Sequence, residues 1–245
     1  MAEKPIAYET YQKLAADYDR HIENKPHNAY YDRPAVLSLL PEIHGKKVLD
    51  AGCGPGIYSR EFLQRGAKVT ACDVSENMID LARQRVPNGV DFRILDLTQP
   101  LVDFEDGEFE FVVAPLCLDY IEHWLPVFQE FFRVLRAGGV FIFSCAHPSF
   151  DAEYFQTENY FSVEYCECDW TGFGTQIRMP GYRRSLEELV SPLIGAGFTL
   201  DRLHEPKPTE EFRQADPVRF ERLMRRPSFV CIRAIKPGGS DEKRC

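Results

Sequence analysis

The sequence predicts an α/β fold built on a doubly wound, mostly parallel sheet. Apolar runs of strand length alternate with amphipathic segments of helix length from residue 46 to residue 146. Directly after the first of those runs, three glycines fall within five residues, Gly52 to Gly56. Strands alternating with helices pack as a parallel sheet with crossover helices, and near-continuous apolar strands suit a sheet covered on both faces. At 245 residues, with 44% hydrophobic and 27% charged residues, the chain is long enough to bury one large core.

The elements follow in order. "YETYQKLAADYDRHIEN" (Tyr8–Asn24) repeats Tyr11, Leu14, Ala15 and Tyr18 at helical spacing. A loop, "KPHNAYYDRP", leads to "AVLSLLPEI", read as a second helix stopped near Gly45. "KVLDAG" is a first strand, and "IYSREFLQRG" a helix with Gly66 as its C-cap. "AKVTACDVS" is a second strand, after which Ser75 caps "ENMIDLARQRV", with acid early and arginines late as the helix dipole favours.

"GVDFRILDL" and "FEFVVAPLCL" are the third and fourth strands. "DYIEHWLPVFQEFFRVLRAGG" is an amphipathic helix closed by Gly138 and Gly139, and "VFIFSCA" is a fifth strand. From His147 to Arg184 the periodicity lapses and aromatics crowd in, which reads as a lid or binding loop. "SLEELVSPLIGAG" resumes as a helix, and "FTLDRLHEP" and "PSFVCIRAIK" bring the strand total to seven. "PGGSDEKRC" reads as a frayed tail. The expected organisation is one domain: a helical cover over 1–45, a core over 46–146, a cap inserted over 147–184, the rest of the sheet over 185–236 and a tail over 237–245.

Composition excludes several classes of function. A net charge of −9 and a pI near 5.3 argue against a nucleic-acid partner, which needs clustered lysine and arginine. No apolar run is long enough to span a membrane, and the polar start "MAEKPIAYETYQ" lacks the apolar core of a signal peptide. Eight scattered cysteines, several inside apolar strands, read as reduced thiols in a cytoplasmic protein. Cys166 and Cys168 lack a second ligand pair, so no metal site is expected. Oligomeric state is not legible in the sequence.

The glycine turn carries the chemistry. A strand, "DAGCGPG" and a helix form a dinucleotide-type turn, in which glycine lets backbone approach a ligand. The spacing is G-x-G-x-G rather than the G-x-G-x-x-G of nicotinamide sites. Asp50, just ahead of the turn, would repel a pyrophosphate and suit a ligand carrying an ammonium group. Both features point away from NAD.

"VLDAGCGPG" resembles the first motif of the class I S-adenosylmethionine-dependent methyltransferases, in particular the type 11 group acting on small molecules. "ACDVSENMIDLAR", "ILDL" and "FVVAPLCLDYIEHWLPVFQEFFRVLRAGGVFIFS" resemble the later motifs, in order, over residues 46–146. The resemblance implies a Rossmann-like fold and S-adenosyl-L-methionine as cofactor. Gly52, Cys53, Gly54 and Gly56 would then line it, with Asp50 near its methionine moiety, directly or through water. Asp73, at the end of the second strand, would take both ribose hydroxyls, as an acid in that place does for NAD. Val74 and Met78 would pack on the adenine, Asp96 with Leu97 would accept from the adenine amino group, and Ala114 and Pro115 would lie beneath the sulfonium. Tyr18, in the helical cover, would close over the cofactor.

Methyl transfer from a sulfonium needs alignment and dryness more than acid–base help. A base is required only when the acceptor must lose a proton, and His147, just past the fifth strand, is the candidate. Asp119, Tyr120 and His123 are second choices. The aromatic-rich cap suits a flat small-molecule acceptor, with Asp119, Tyr120, His147, Trp170, Tyr182 and Arg183 as expected contacts. Two alternatives stay open at this level: an NAD(P)-dependent oxidoreductase, and a non-catalytic protein that keeps the cofactor fold as a scaffold.

Overall fold

The computed structural model describes residues 4–238 as a three-layer α/β sandwich; most of the expected tail, residues 239–245, lies outside the described residues. Strands β1 (Lys47–Ala51), β2 (Lys68–Asp73), β3 (Val90–Ile94), β4 (Phe109–Pro115) and β5 (Leu135–Ala146) run parallel. The seven-stranded sheet has the order β3-β2-β1-β4-β5-β9-β8, with β8 (Thr199–His204) and β9 (Phe229–Ile235) completing it. β9 is antiparallel to both of its neighbours. The sheet is therefore Rossmann-like and mostly parallel, as expected.

Side chains alternate between two cores because the strand period is two. Leu49, Val112, Phe141 and Phe143 face α5 (Trp124–Val134) and α7 (Leu186–Gly195), where Trp124, Phe128, Phe131, Leu189 and Leu193 meet them. Val48, Val69, Val113 and Ile142 face the opposite layer of α2 (Arg33–Leu39), α3 (Ile57–Gln64) and α4 (Glu76–Arg85). Both faces are covered, which is why the strands read as unbroken apolar runs.

The N-terminal segment departs from the expectation. α1 (Tyr8–Ile22) ends two residues early, and the expected loop is largely helical: Asn28–Asp32 is one π-helical stretch running directly into α2. Pro34 sits in the first turn of α2, a position where proline is favoured. α2 then stops at Leu39, well short of Gly45.

The helix expected from Asp119 begins at Trp124 instead, after a short 3-10 turn over Leu118–Tyr120. Its end also differs. Gly138 and Gly139 do not close α5 but lie within β5, where the Gly138 amide donates to the Lys236 carbonyl and the Gly139 carbonyl accepts from the Lys236 amide, both at 2.9 Å. A Cβ on Gly139 would lie 2.7 Å from the Arg136 carbonyl oxygen, so that turn requires glycine.

The segment over 147–184 is more ordered than its sequence suggests. It holds α6 (Pro148–Tyr154) and an antiparallel hairpin of β6 (Glu164–Trp170) with β7 (Ile177–Arg183). β6 carries Glu and Asp, which have low strand propensity, so its alternation is hidden in the sequence. Between β8 and β9 lie two short helices that the sequence reading passed over, α8 (Glu210–Ala215) and α9 (Pro217–Leu223). Their Phe212, Phe220 and Leu223 bury against Tyr31 of the π-helical stretch.

Candidate functional site

One cavity of about 1060 Å³, measured with its open mouth, lies over the C-terminal ends of the parallel strands. Open α/β sheets bind ligands in that place. Its floor is the glycine turn. The Gly52 and Cys53 amides both donate to the Cys72 carbonyl, at 2.8 and 2.9 Å, which folds the turn back over β2. Gly52, Gly54 and Gly56 all have positive φ, of 72°, 52° and 79°. Their jobs differ. A Cβ on Gly52 would stand 2.5 Å from Cys117 Cβ, and one on Gly56 3.0 Å from Ala82 Cβ, whereas one on Gly54 would meet nothing within 4 Å. Gly54 alone leaves space open on the cavity side of the turn; Gly56 is outside the wall and lets α3 pack on α4.

Asp73 stands where β2 ends and lines the cavity. Its Oδ2 accepts from the Gly54 amide and its Oδ1 from the Ser75 amide, both at 2.9 Å. Each oxygen keeps a second lone pair, so the carboxylate braces the turn and still offers two acceptors. Burial pushes its pKa up, and the backbone amides oppose that rise. β3 stops at Ile94, two residues before Asp96. Asp96 binds the Thr98 amide and hydroxyl through one oxygen, at 2.9 and 2.7 Å, and lines the cavity with Leu95, Leu97 and Met78.

Asp50 behaves differently from the expectation. It is fully buried, accepts from Ser59 Oγ at 2.5 Å, and lies behind the turn rather than in the cavity wall. Burial pushes its carboxyl up to about 7. Ala114 is likewise sealed in the core beneath the sheet end, while Pro115 reaches the wall.

The roof comes from α1, with the hairpin packed behind it. Tyr11 and Tyr18 line the cavity, and the Tyr11 hydroxyl lies 2.6 Å from that of Tyr120. Behind them Phe173 packs on Tyr18 at 4.4 Å between centroids and on Trp170 at 4.9 Å. Gln12 fastens α1 to the start of α4: its Oε1 accepts from Ser75 Oγ at 2.6 Å and from the Asn77 amide at 3.1 Å.

Of the residues expected at the site, the cavity brings together Tyr18, Gly52, Cys53, Gly54, Asp73, Val74, Met78, Asp96, Leu97, Pro115 and Tyr120. The others lie elsewhere. His147 caps α6, accepting from the Ser149 amide, with Nε2 2.9 Å from Glu205. Asp119 accepts from the Ala146 amide at 3.1 Å. Trp170 stacks behind the roof under the Lys25 ammonium, and Tyr182 pairs with Tyr165 across the hairpin. Arg183 is buried against Glu164 and the Asn159 carbonyl, where it holds the cap together.

Several lining residues escaped the sequence reading, Asp32, Arg33, Tyr58 and Leu116 among them. Asp32 and Tyr58 are hydrogen-bonded at 2.8 Å. Leu116 takes a left-handed φ of 51° where β4 opens, a strained conformation that tends to accompany binding sites. Asp32 and Arg33 fall in the stretch "KPHNAYYDRP", whose expected loop is largely helical.

Comparison with known proteins matches this geometry. Residues 49–143 match the family model described as a methyltransferase domain. A Haemophilus influenzae protein of no assigned activity is 27% identical over 251 residues, spanning 96% of each chain. The demethylmenaquinone methyltransferase of Lactococcus lactis is 26% identical, over 94% of this chain and 84% of that one. Several curated O-methyltransferases of higher identity match locally, and the chain spans about half of their length or less. Among solved structures, one from Listeria monocytogenes assigned as an S-adenosylmethionine-dependent methyltransferase is 25% identical, with a TM-score of 0.73, over 84% of this chain and 96% of that one. The choice between cofactors falls to S-adenosylmethionine.

Proposed function

From the premise that the chain belongs to the class I S-adenosylmethionine-dependent methyltransferases of the type 11 group, we propose that it methylates a small, flat acceptor held under the tyrosine roof. The observation that carries this reading is the wall itself: Tyr11, Tyr18, Tyr58 and Tyr120 face one cavity whose remaining lining is largely apolar. Aromatic walls favour planar ligands through stacking. A quinone acceptor in the Lactococcus relative supports the same class.

The residues present fit the cofactor. Asp73 offers two acceptors for a ribose diol, Asp96 one for an adenine amino group, and Val74, Met78 and Leu97 an apolar slot for the ring. The open side of Gly54 leaves room for close backbone approach. When bound, the cofactor supplies an electrophilic methyl carbon on sulfur. The chain's own work is to align the acceptor's lone pair with that carbon and to exclude water, which α1 does by covering the strand ends with the hairpin packed behind it. No imidazole lines the wall among the described residues, so His147 is assigned to the fold of the cap rather than to proton transfer. The scattered thiols fit work in the cytoplasm.

A methyl-release assay tests the reading against two pools, one of phenols and quinones and one of aliphatic acids and amines. Turnover confined to the flat pool, with His147→Ala retaining its rate and pH profile, is expected. Turnover only in the aliphatic pool would refute the acceptor class.

A further inference from the structure

Arg85 is the last residue of α4, lies outside the cavity wall, and touches two parts of its enclosure at once. Its Nη1 donates to the carbonyl of Pro55, which lines the cavity within the glycine turn. Its Nη2 lies 2.7 Å from Asp19 Oδ1 and its Nε 3.5 Å from Glu23 Oε1, both at the C-terminal end of α1. Glu23 is shared. Arg60, on the helix that leaves the turn, binds it through two nitrogens at 2.7 and 3.1 Å. The Arg85 side chain is only 12% exposed, so its guanidinium is held in one place.

Local preference argues against this end of α1. Asp19 and Glu23 are four residues apart, so they share one helix face and repel each other. Acids near a helix C-terminus also oppose its dipole, which favours cations there. The two carboxylates therefore weaken the isolated helix, and the guanidinium groups of Arg60 and Arg85 offset them. The Arg60 hydrogen bonds foremost, with the Arg60, Arg85 and Arg33 charges, hold the Glu23 carboxyl below its ordinary value against the effect of burial. A break of local preference that distant partners compensate is expected at functional sites.

What the guanidinium joins gives it a use. α1 lies along α4 and is tied to it at both ends: Tyr8 and Gln12 meet the start of α4, and Asp19 and Glu23 meet its last residue. Of these two ties, the second also reaches the floor of the cavity. The Pro55 carbonyl and the two carboxylates share one planar group whose N–H directions are fixed. A shift of the turn therefore disturbs the bonds to the roof, and a shift of the roof disturbs the bond to the turn.

We propose that Arg85 is a positioning residue that couples the glycine turn to the roof, holding α1 closed through Asp19 and Glu23 while the turn it braces through Pro55 carries the ligand. The coupling rests on the cofactor reading above. Its effect falls on release, because truncating one member of a desolvated, hydrogen-bonded charge pair acts mainly on dissociation.

Stopped-flow binding and displacement of S-adenosylhomocysteine on the full chain, at low and high salt, test it. Arg85→Met should speed release about tenfold and leave the association rate within about twofold, since the cavity wall keeps its side chains. Salt weakens part-exposed ion pairs, so wild-type release should quicken at high salt and release from Arg85→Met should not. Asp19→Asn leaves Arg85 and its Pro55 bond in place and should also quicken release, by less in the Arg85→Met background than in the wild type. Arg85→Lys, a point charge without the fork, should fall between wild type and Arg85→Met. Unchanged release in Arg85→Met or Asp19→Asn, wild-type release indifferent to salt, or effects of the two substitutions that simply add would each overturn the coupling. A collapse of association alongside faster release in Arg85→Met would overturn it in favour of a purely structural role. Should Arg85→Met not fold, Asp19→Asn decides by its release rate and its salt response. No binding by the wild-type chain would overturn the cofactor reading and the coupling with it.

Discussion

Gly52 and Gly54 look equivalent in the sequence and are not equivalent in space. At Gly54 a side chain has room and meets only the cost of positive φ, about 1–2 kcal/mol. Gly54→Val should therefore fold, melt a few degrees lower at most, and lose S-adenosylhomocysteine binding. Gly52→Ala drives a Cβ into Cys117, whose own Cβ is fixed to the backbone where β4 opens. Overpacking of that kind costs about 1–3 kcal/mol beyond the strain, so thermal melts should rank Gly52→Ala well below Gly54→Val. The reverse order would mean that the turn's geometry has been misassigned. Legibility at this scale followed chemistry. Asp73 and Asp96 were readable because an acid just past a strand end has few other uses. Asp32 was not, because its meaning depends on a π-helical stretch that turns it and Arg33 into the cavity, and no residue pattern announces a π-helix.

Helix α1 shows how much of the site belongs to elements rather than to motifs. It is the roof, and polar bonds from its side chains tie it to the start of α4 and beyond: Gln12 to Ser75, Asn77 and Glu76, Tyr8 Oη to Glu76 at 2.6 Å, Tyr11 to Tyr120, and Asp19 to Arg85. Each such bond contributes about 1 kcal/mol net. Gln12→Ala removes the bonds to Ser75, Asn77 and Glu76 without touching the cavity wall. The expected result is faster release of S-adenosylhomocysteine, about fivefold or more by stopped-flow displacement, with little change in the melting temperature of the free protein. An unchanged release rate would mean that ligands leave without α1 moving. The core strands were legible because burial on both faces leaves them uniformly apolar. The hairpin β6–β7 was not, since its outward Tyr165, Glu167 and Asp169 and inward Cys166, Cys168 and Trp170 alternate in a polar register that resembles loop.

Across the whole molecule, buried carboxyls gather near the strand ends and the cap. Burial pushes Asp32 and Asp119 up to about 6, Asp50 to about 7 and Asp151 to about 8. The folded chain thus holds these protons more tightly than the unfolded chain does. Their contribution to stability is complete below the ordinary carboxyl value near 3.8 and is lost as pH rises through about 6 to 8. The ligand-free protein should therefore melt at a lower temperature at pH 8 than at pH 5.5, and Asp50→Asn should make that decline shallower. An equal or steeper decline in the variant would remove Asp50 from the set. The fold class, the seven-stranded main sheet and the cofactor were legible at this scale because alternation and the glycine turn are local. The roofing of the cavity by an N-terminal helix backed by a distant hairpin was not, because it joins residues more than 150 positions apart. The most direct test of the central claim is a calorimetric titration of the wild-type chain and Asp73→Ala with S-adenosylhomocysteine, with NADH as control. The account predicts wild-type binding at about micromolar affinity or tighter, no response to NADH, and at least about tenfold weaker binding by Asp73→Ala through the loss of two charge-assisted bonds. Equal affinity of the two proteins, with Asp73→Ala folded by circular dichroism, would contradict it.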